Sequence, residues 1–127
     1  MSKQKVLIID DNHLIRYTTT LLLKQLGFEA LQASNASQGL EVAITEQPDV
    51  ILLDIMMPDM DGWELLRIME KDARVSSLSV IIFTALEEQL FPQESNSHMV
   101  KAMLQKPFHL NELTTALQSA LPPMEGK

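Results

Sequence analysis

Three apolar runs, Val6-Leu7-Ile8-Ile9, Val50-Ile51-Leu52-Leu53 and Val80-Ile81-Ile82-Phe83, are long enough for strands and too short for helices. Each is bounded by polar or turn-forming residues. Between the first two, Leu14, Ile15, Leu22, Leu23 and Leu26 fall at helical spacings, with Gly27 placed to stop the helix. Phe28 to Ala33 reads as a further strand. Ser34 or Asn35 then caps a helix whose apolar side carries Leu40, Ala43 and Ile44 and which Pro48 ends. The next strand is expected over Asp49 to Asp54. Trp63, Leu65, Leu66, Ile68 and Met69 predict a third helix, and the polar Ser76-Ser77 stretch leads into the Val80 run. Near the end, a short apolar-containing stretch from Val100 to Leu104 precedes a helix predicted from about Leu110 to Leu121. Leu110, Leu113, Leu117 and Leu121 mark its apolar side, and Pro122-Pro123 stops it.

Strands that alternate with helices imply right-handed crossovers and a parallel sheet covered on both faces. The fold class expected is therefore α/β, with five parallel strands. In such a sheet the carboxyl ends of the strands share one edge, where ligands bind. The residues that follow these strands are unusually polar: Asp10-Asp11 after the first, Asp54 after the third, Thr84 after the fourth and Lys106 after the last stretch. A carboxylate at the end of a buried strand is poorly placed for mere solubility, although aspartate also favours turns for its own hydrogen bonds. Asp11 or Asn12 can likewise serve as a helix cap. Two adjacent acids beside a third would nonetheless repel one another unless a cation lay between them.

With these positions in register, the chain resembles the receiver domains of two-component response regulators. Asp54-Ile55-Met56-Met57-Pro58-Asp59-Met60-Asp61-Gly62 matches the family signature D-x-x-M-P-x-M-D-G, and Lys106-Pro107-Phe108 matches its K-P-F. The likeness runs from about Lys5 to Leu121. It implies a doubly wound domain with the flavodoxin-like strand order 2-1-3-4-5. It further implies that Asp54 accepts a phosphoryl group from a phosphohistidine on a sensor histidine kinase or a histidine phosphotransfer protein. Phosphoryl transfer onto an anion calls for a hard divalent cation with oxygen ligands, hence Mg2+. By resemblance, Asp11, Asp54 and the Met56 backbone carbonyl ligate it and Asp10 acts through a water. Thr84 and Lys106 would contact phosphoryl oxygens, and the Lys106-Pro107 bond would be cis.

The chain departs from the family in several places. Met103 stands three residues before the lysine, where an aromatic switch residue is usual, and Met99-Val100 replaces Gly-Ala. Phe91 to Ser97 brings a proline and weak helix formers to the place of the helix between the fourth and fifth strands, which is expected to be short, kinked or mobile. Met56 and Leu86 occupy the positions that tune phosphate hydrolysis in the family. Neither can orient a water by hydrogen bonding, so slow self-dephosphorylation is expected.

Composition narrows the alternatives. A chain of 127 residues that is 46% hydrophobic fits one domain with one sizeable core, with 122–127 as a tail. The absence of cysteine excludes a thiol nucleophile and thiolate metal sites and is compatible with a reducing cytoplasm. No stretch reaches the ~20 apolar residues of a membrane span, and the start runs straight into a strand pattern rather than a signal peptide. Cytoplasmic location without membrane insertion is expected. A net charge of −7 argues against direct nucleic-acid binding, so output needs a protein partner that the sequence does not name. The histidines His13, His98 and His109 lack metal-ligand spacing and read as surface residues, whereas Met57, Met60 and Trp63 read as packing and turn residues. A phosphohydrolase with an aspartyl intermediate would need an acid at Met56. A flavin-binding protein would need a Ser/Thr/Gly-rich loop in place of Asp10-Asp11-Asn12-His13. The remaining alternative is a receiver-like interaction module that signals without phosphorylation. Whether the chain acts alone, as a relay intermediate or as part of a longer regulator stays open.

Overall fold

The computed structural model describes residues 3–85 and 97–121. Five parallel strands, β1 (Lys5–Ile9), β2 (Glu29–Ala33), β3 (Val50–Leu53), β4 (Ser79–Thr84) and β5 (Val100–Gln105), form one sheet in the order β2-β1-β3-β4-β5. This is the expected doubly wound α/β fold. Among the described residues the helices are α1 (His13–Gln25), α2 (Ala36–Glu46), α3 (Gly62–Glu70) and α4 (Leu110–Ala120). The expectation for a helix between β4 and β5 falls outside the described residues, as do Leu86 and the 122–127 tail.

The strands are apolar on both faces because helices cover both. Leu7, Ile9, Ile51, Leu53 and Ile82 join Ala43, Leu66 and Met69 of α2 and α3 in one core layer. Their alternates Val6, Ile8, Leu52, Ile81 and Phe83 join Leu23, Leu113 and Leu117 of α1 and α4 in the other. The period of two along each strand thus assigns each residue to a layer. β1 and β3 lie at the centre, their apolar residues fully buried.

Local signals account for most boundaries. Asn12, Asn35 and Asp61 cap α1, α2 and α3 by accepting from the backbone N–H groups of Ile15, Gln38 and Glu64. Gly27, with φ +95, turns the chain out of α1. Gln47 ends α2 in a left-handed conformation, φ 49, because Pro48 disfavours the right-handed helical region for the residue before it. Its side-chain amide donates to the carbonyls of Ala43, Ile44 and Arg74. Three residues counted on apolar helix faces point outward instead: Leu14 is 65% exposed, and Ile68 and Leu110 are also exposed. Periodicity cannot distinguish the centre of a helix face from its rim. Met57 and Trp63 are buried and Met60 packs against them, whereas His13, His98 and His109 are exposed, both as expected.

Candidate functional site

The strand register brings the polar residues together. Ile9 pairs with Leu53 across β1 and β3, so Asp10 and Asp54 leave adjacent strands side by side, and the Asp54 N–H donates to the Ile9 carbonyl at 2.9 Å. Leu53 pairs with Ile82, which sets Thr84 one step further along β4. Lys106 follows β5, and its backbone N–H donates to the Thr84 carbonyl at 2.8 Å. The Lys106-Pro107 bond is cis, in line with the family expectation.

Asp10, Asp11 and Asp54 each offer a carboxylate oxygen, and these atoms lie within 4.8 Å of one another. Asp10 and Asp54 are buried, and Asp11 is exposed. One oxygen of Asp10 accepts from the Asn12 N–H at 2.9 Å and the other from the Lys106 ammonium at 2.5 Å. That ammonium stands 3.6 Å from Asp54, whose second oxygen accepts from the Met56 N–H at 3.0 Å. Burial pushes the Asp54 carboxyl up to about 6, the neighbouring Asp10 adds to the rise, and the Met56 N–H and Lys106 oppose it. Among the described residues three carboxylates face a single lysine here, an excess of negative charge that a divalent cation would offset. The donors are hard oxygens, the type that suits Mg2+. The set therefore fits such an ion.

The predicted residues Asp10, Asp11, Asp54 and Lys106 converge, and Thr84, buried at the end of β4, is joined to Lys106 through the backbone. Met56 lies in the turn directly after Asp54, with its side chain exposed. Several supporting residues escaped the sequence reading. The Lys106 ammonium sits 4.6 Å from the centroid of the Phe83 ring, which Phe108 meets edge-on at 5.5 Å. Arg16 donates to the Asp10 carbonyl at 2.8 Å from one turn into α1. Asp59 reaches the first residue of α2. Of these, only Arg16 left a trace, a basic residue at helical distance from the acidic pair. Phe83 looked like any core residue.

Comparison with known proteins agrees with this arrangement. The family model for the response regulator receiver domain matches residues 6–118. The chain is 35% identical over 122 residues to sporulation initiation phosphotransferase F of Bacillus subtilis, covering 96% of this chain and 97% of that protein. It is 32% identical to protein PilH of Pseudomonas aeruginosa, covering 92% and 97% respectively. Among solved structures, chemotaxis protein CheY4 of Vibrio cholerae superposes with a TM-score of 0.87 at 28% identity, covering 94% of this chain and all of that one.

Proposed function

The chain belongs to the response regulator receiver family and is a phosphorylation-dependent switch of two-component signalling, and on that premise we propose that Asp54 is the residue that takes up the phosphoryl group. The observation that carries this reading is the meeting of Asp10, Asp11 and Asp54 with Lys106 at one edge of the sheet. Asp54 is buried yet still ionised near neutral pH, because even its raised pKa of about 6 lies below 7. Its higher basicity makes it a better nucleophile than a surface carboxylate.

In the proposed reaction a carboxylate oxygen of Asp54 attacks the phosphorus of a phosphohistidine on a sensor histidine kinase or a phosphotransfer protein. The P–N bond breaks, its electron pair goes to the imidazole, which takes up a proton, and an acyl phosphate remains on Asp54. Mg2+, when bound, neutralises charge on the phosphoryl oxygens. Asp11, Asp54 and the Met56 carbonyl would hold it, with Asp10 acting through a water. The Lys106 ammonium, already between Asp10 and Asp54, moves to a phosphoryl oxygen, a charge-assisted contact that fixes the geometry. The Thr84 hydroxyl donates to another. Charge added at Asp54 thereby changes the contacts of Lys106 and Thr84 and biases the surface offered to an output partner.

On this reading the 127 residues act as a single receiver domain, a signalling protein rather than an enzyme, in the cytoplasm. Among the described residues no helix is long and apolar enough to cross a membrane. The exposed Met56 thioether orients no water well, so the acyl phosphate is expected to persist. Incubation with Mg2+ and acetyl phosphate should add one phosphoryl group by intact mass, and neither Asp54→Ala nor protein in chelator should take up any. A wild-type protein that no small donor and no histidine kinase can label would overturn the assignment in favour of signalling without phosphorylation. Rapid loss of the group from isolated protein would overturn the expected persistence.

A further inference from the structure

The turn that joins β3 to α3 carries Asp54 and Met56, and it is also fastened to the start of α2. Asp59 is exposed on this turn, and its two carboxylate oxygens accept from the backbone N–H of Ala36, the first residue of α2, at 3.1 and 3.3 Å. A carboxylate at a helix N-terminus is favourable in itself. Yet α2 already has a cap: the Asn35 side chain accepts from the Gln38 N–H at 2.8 Å. The Ala36 N–H is a different donor from the one Asn35 caps, and Asp59 satisfies it from the turn.

Apart from Met60, which packs on the core, the other fastenings of the turn are at its base. The Met56 N–H donates to Asp54, the Gly62 N–H donates to the Ile55 carbonyl at 3.0 Å, and Met57 is buried in the core. Beyond Met57 the chain swings outward through Pro58, and Asp59 ties this outer part to a neighbouring helix. We propose that Asp59 is a positioning residue for the cation site: by anchoring the turn to α2 it holds the Met56 carbonyl in place before the cation arrives. The inference rests on the reading that the turn supplies that carbonyl to Mg2+. A ligand held in advance loses less conformational freedom on binding, and groups that orient metal ligands typically change affinity by about 10-fold or more when removed. The coupling is reciprocal, so bound Mg2+ should in turn slow hydrogen exchange at the Ala36 amide.

The test compares Mg2+ binding by calorimetry in the wild type, Asp59→Ala, Asp59→Asn and Asn35→Ala, with exchange of the Ala36 amide as a second readout. Asp59→Ala should weaken Mg2+ about 10-fold and abolish the Mg2+-dependent protection of Ala36. Asp59→Asn keeps an acceptor oxygen and should bind nearly as the wild type does. Asn35→Ala removes the other cap of the same helix, and should lower stability while leaving Mg2+ affinity intact. Wild-type affinity in Asp59→Ala, or an equal loss in Asn35→Ala, would reduce Asp59 to a helix cap and overturn the proposal. Wild-type protein that fails to bind Mg2+, or binds it equally after Asp54→Asn, would overturn the underlying site assignment as well.

Discussion

At the scale of single residues, the buried acids are a liability that the fold tolerates. Asp54 binds its proton more tightly in the folded chain, at about 6 against 3.8 for an unperturbed aspartate. Stability from this group is therefore fully present below pH 3.8 and is lost as the pH rises through about 6. At neutral pH without divalent cations the ionised side chain costs on the order of 2 kcal/mol. Asp54→Asn should consequently be more stable than the wild type at pH 7.5 in chelator, and the difference should vanish near pH 4. Urea titrations of both proteins across that range measure it, and a difference independent of pH would contradict the assignment. Lys106 offsets part of the repulsion, held over the Phe83 ring with its ammonium 2.5 Å from Asp10 and 3.6 Å from Asp54.

At the scale of elements, close approach governs where the site turn can lie. A Cβ at Gly62 would fall 2.6 Å from the Ile55 Cα and 2.8 Å from the Asp54 carbonyl, both backbone atoms that cannot swing aside. At Gly39 the nearest atoms are Cδ1, Cγ1 and Cγ2 of Ile9, at 2.6, 2.9 and 3.0 Å, which belong to a side chain and not to the backbone. Gly62→Ala should therefore destabilise by about 3 kcal/mol and disturb Asp54. Gly39→Ala should cost about 1 kcal/mol, since strain there is partly offset by higher helix propensity. Chemical denaturation of the two variants compares them, and equal losses would contradict the backbone argument. Helix α1 offers a test of opposite sign. The Thr19 hydroxyl is buried with no hydrogen-bond partner among the described residues. Thr19→Val keeps the shape and removes the stranded group, so it should raise stability by about 1 kcal/mol. A loss on that substitution would mean that a buried water satisfies the hydroxyl.

At the scale of the whole molecule, a cation held by the acids would connect folding to function. Three carboxylates converge only once β1 and β3 are paired, so Mg2+ is expected to bind the folded chain and not the unfolded one. At a hundred times its dissociation constant it should stabilise the protein by about 2.7 kcal/mol and raise the melting temperature by several degrees. Chelator should reverse the gain, Asp54→Asn should reduce it, and sodium at matched ionic strength should not reproduce it. Stabilisation by any salt alike would mean that general screening of the net charge of −7 is responsible.

Much of this arrangement is legible in the chain itself. Runs such as Val50 to Leu53 are apolar at every position because both sides of a parallel sheet are covered, and that pattern survives in one dimension. The same holds for caps such as Asn12 and Asn35, whose partners lie within one helical turn. Once parallel pairing is inferred, the strand-end acids, Thr84 and Lys106 must share an edge, so the candidate site follows from order along the chain. Distances in sequence hide the rest. Phe83 as the platform for Lys106, and Asp59 as the tie to Ala36, join residues that meet only after the layers have packed. Which apolar helix residues face inward, Leu23 but not Leu14, was likewise left to packing. Periodicity records a face, whereas only the neighbouring strands decide which part of that face is covered.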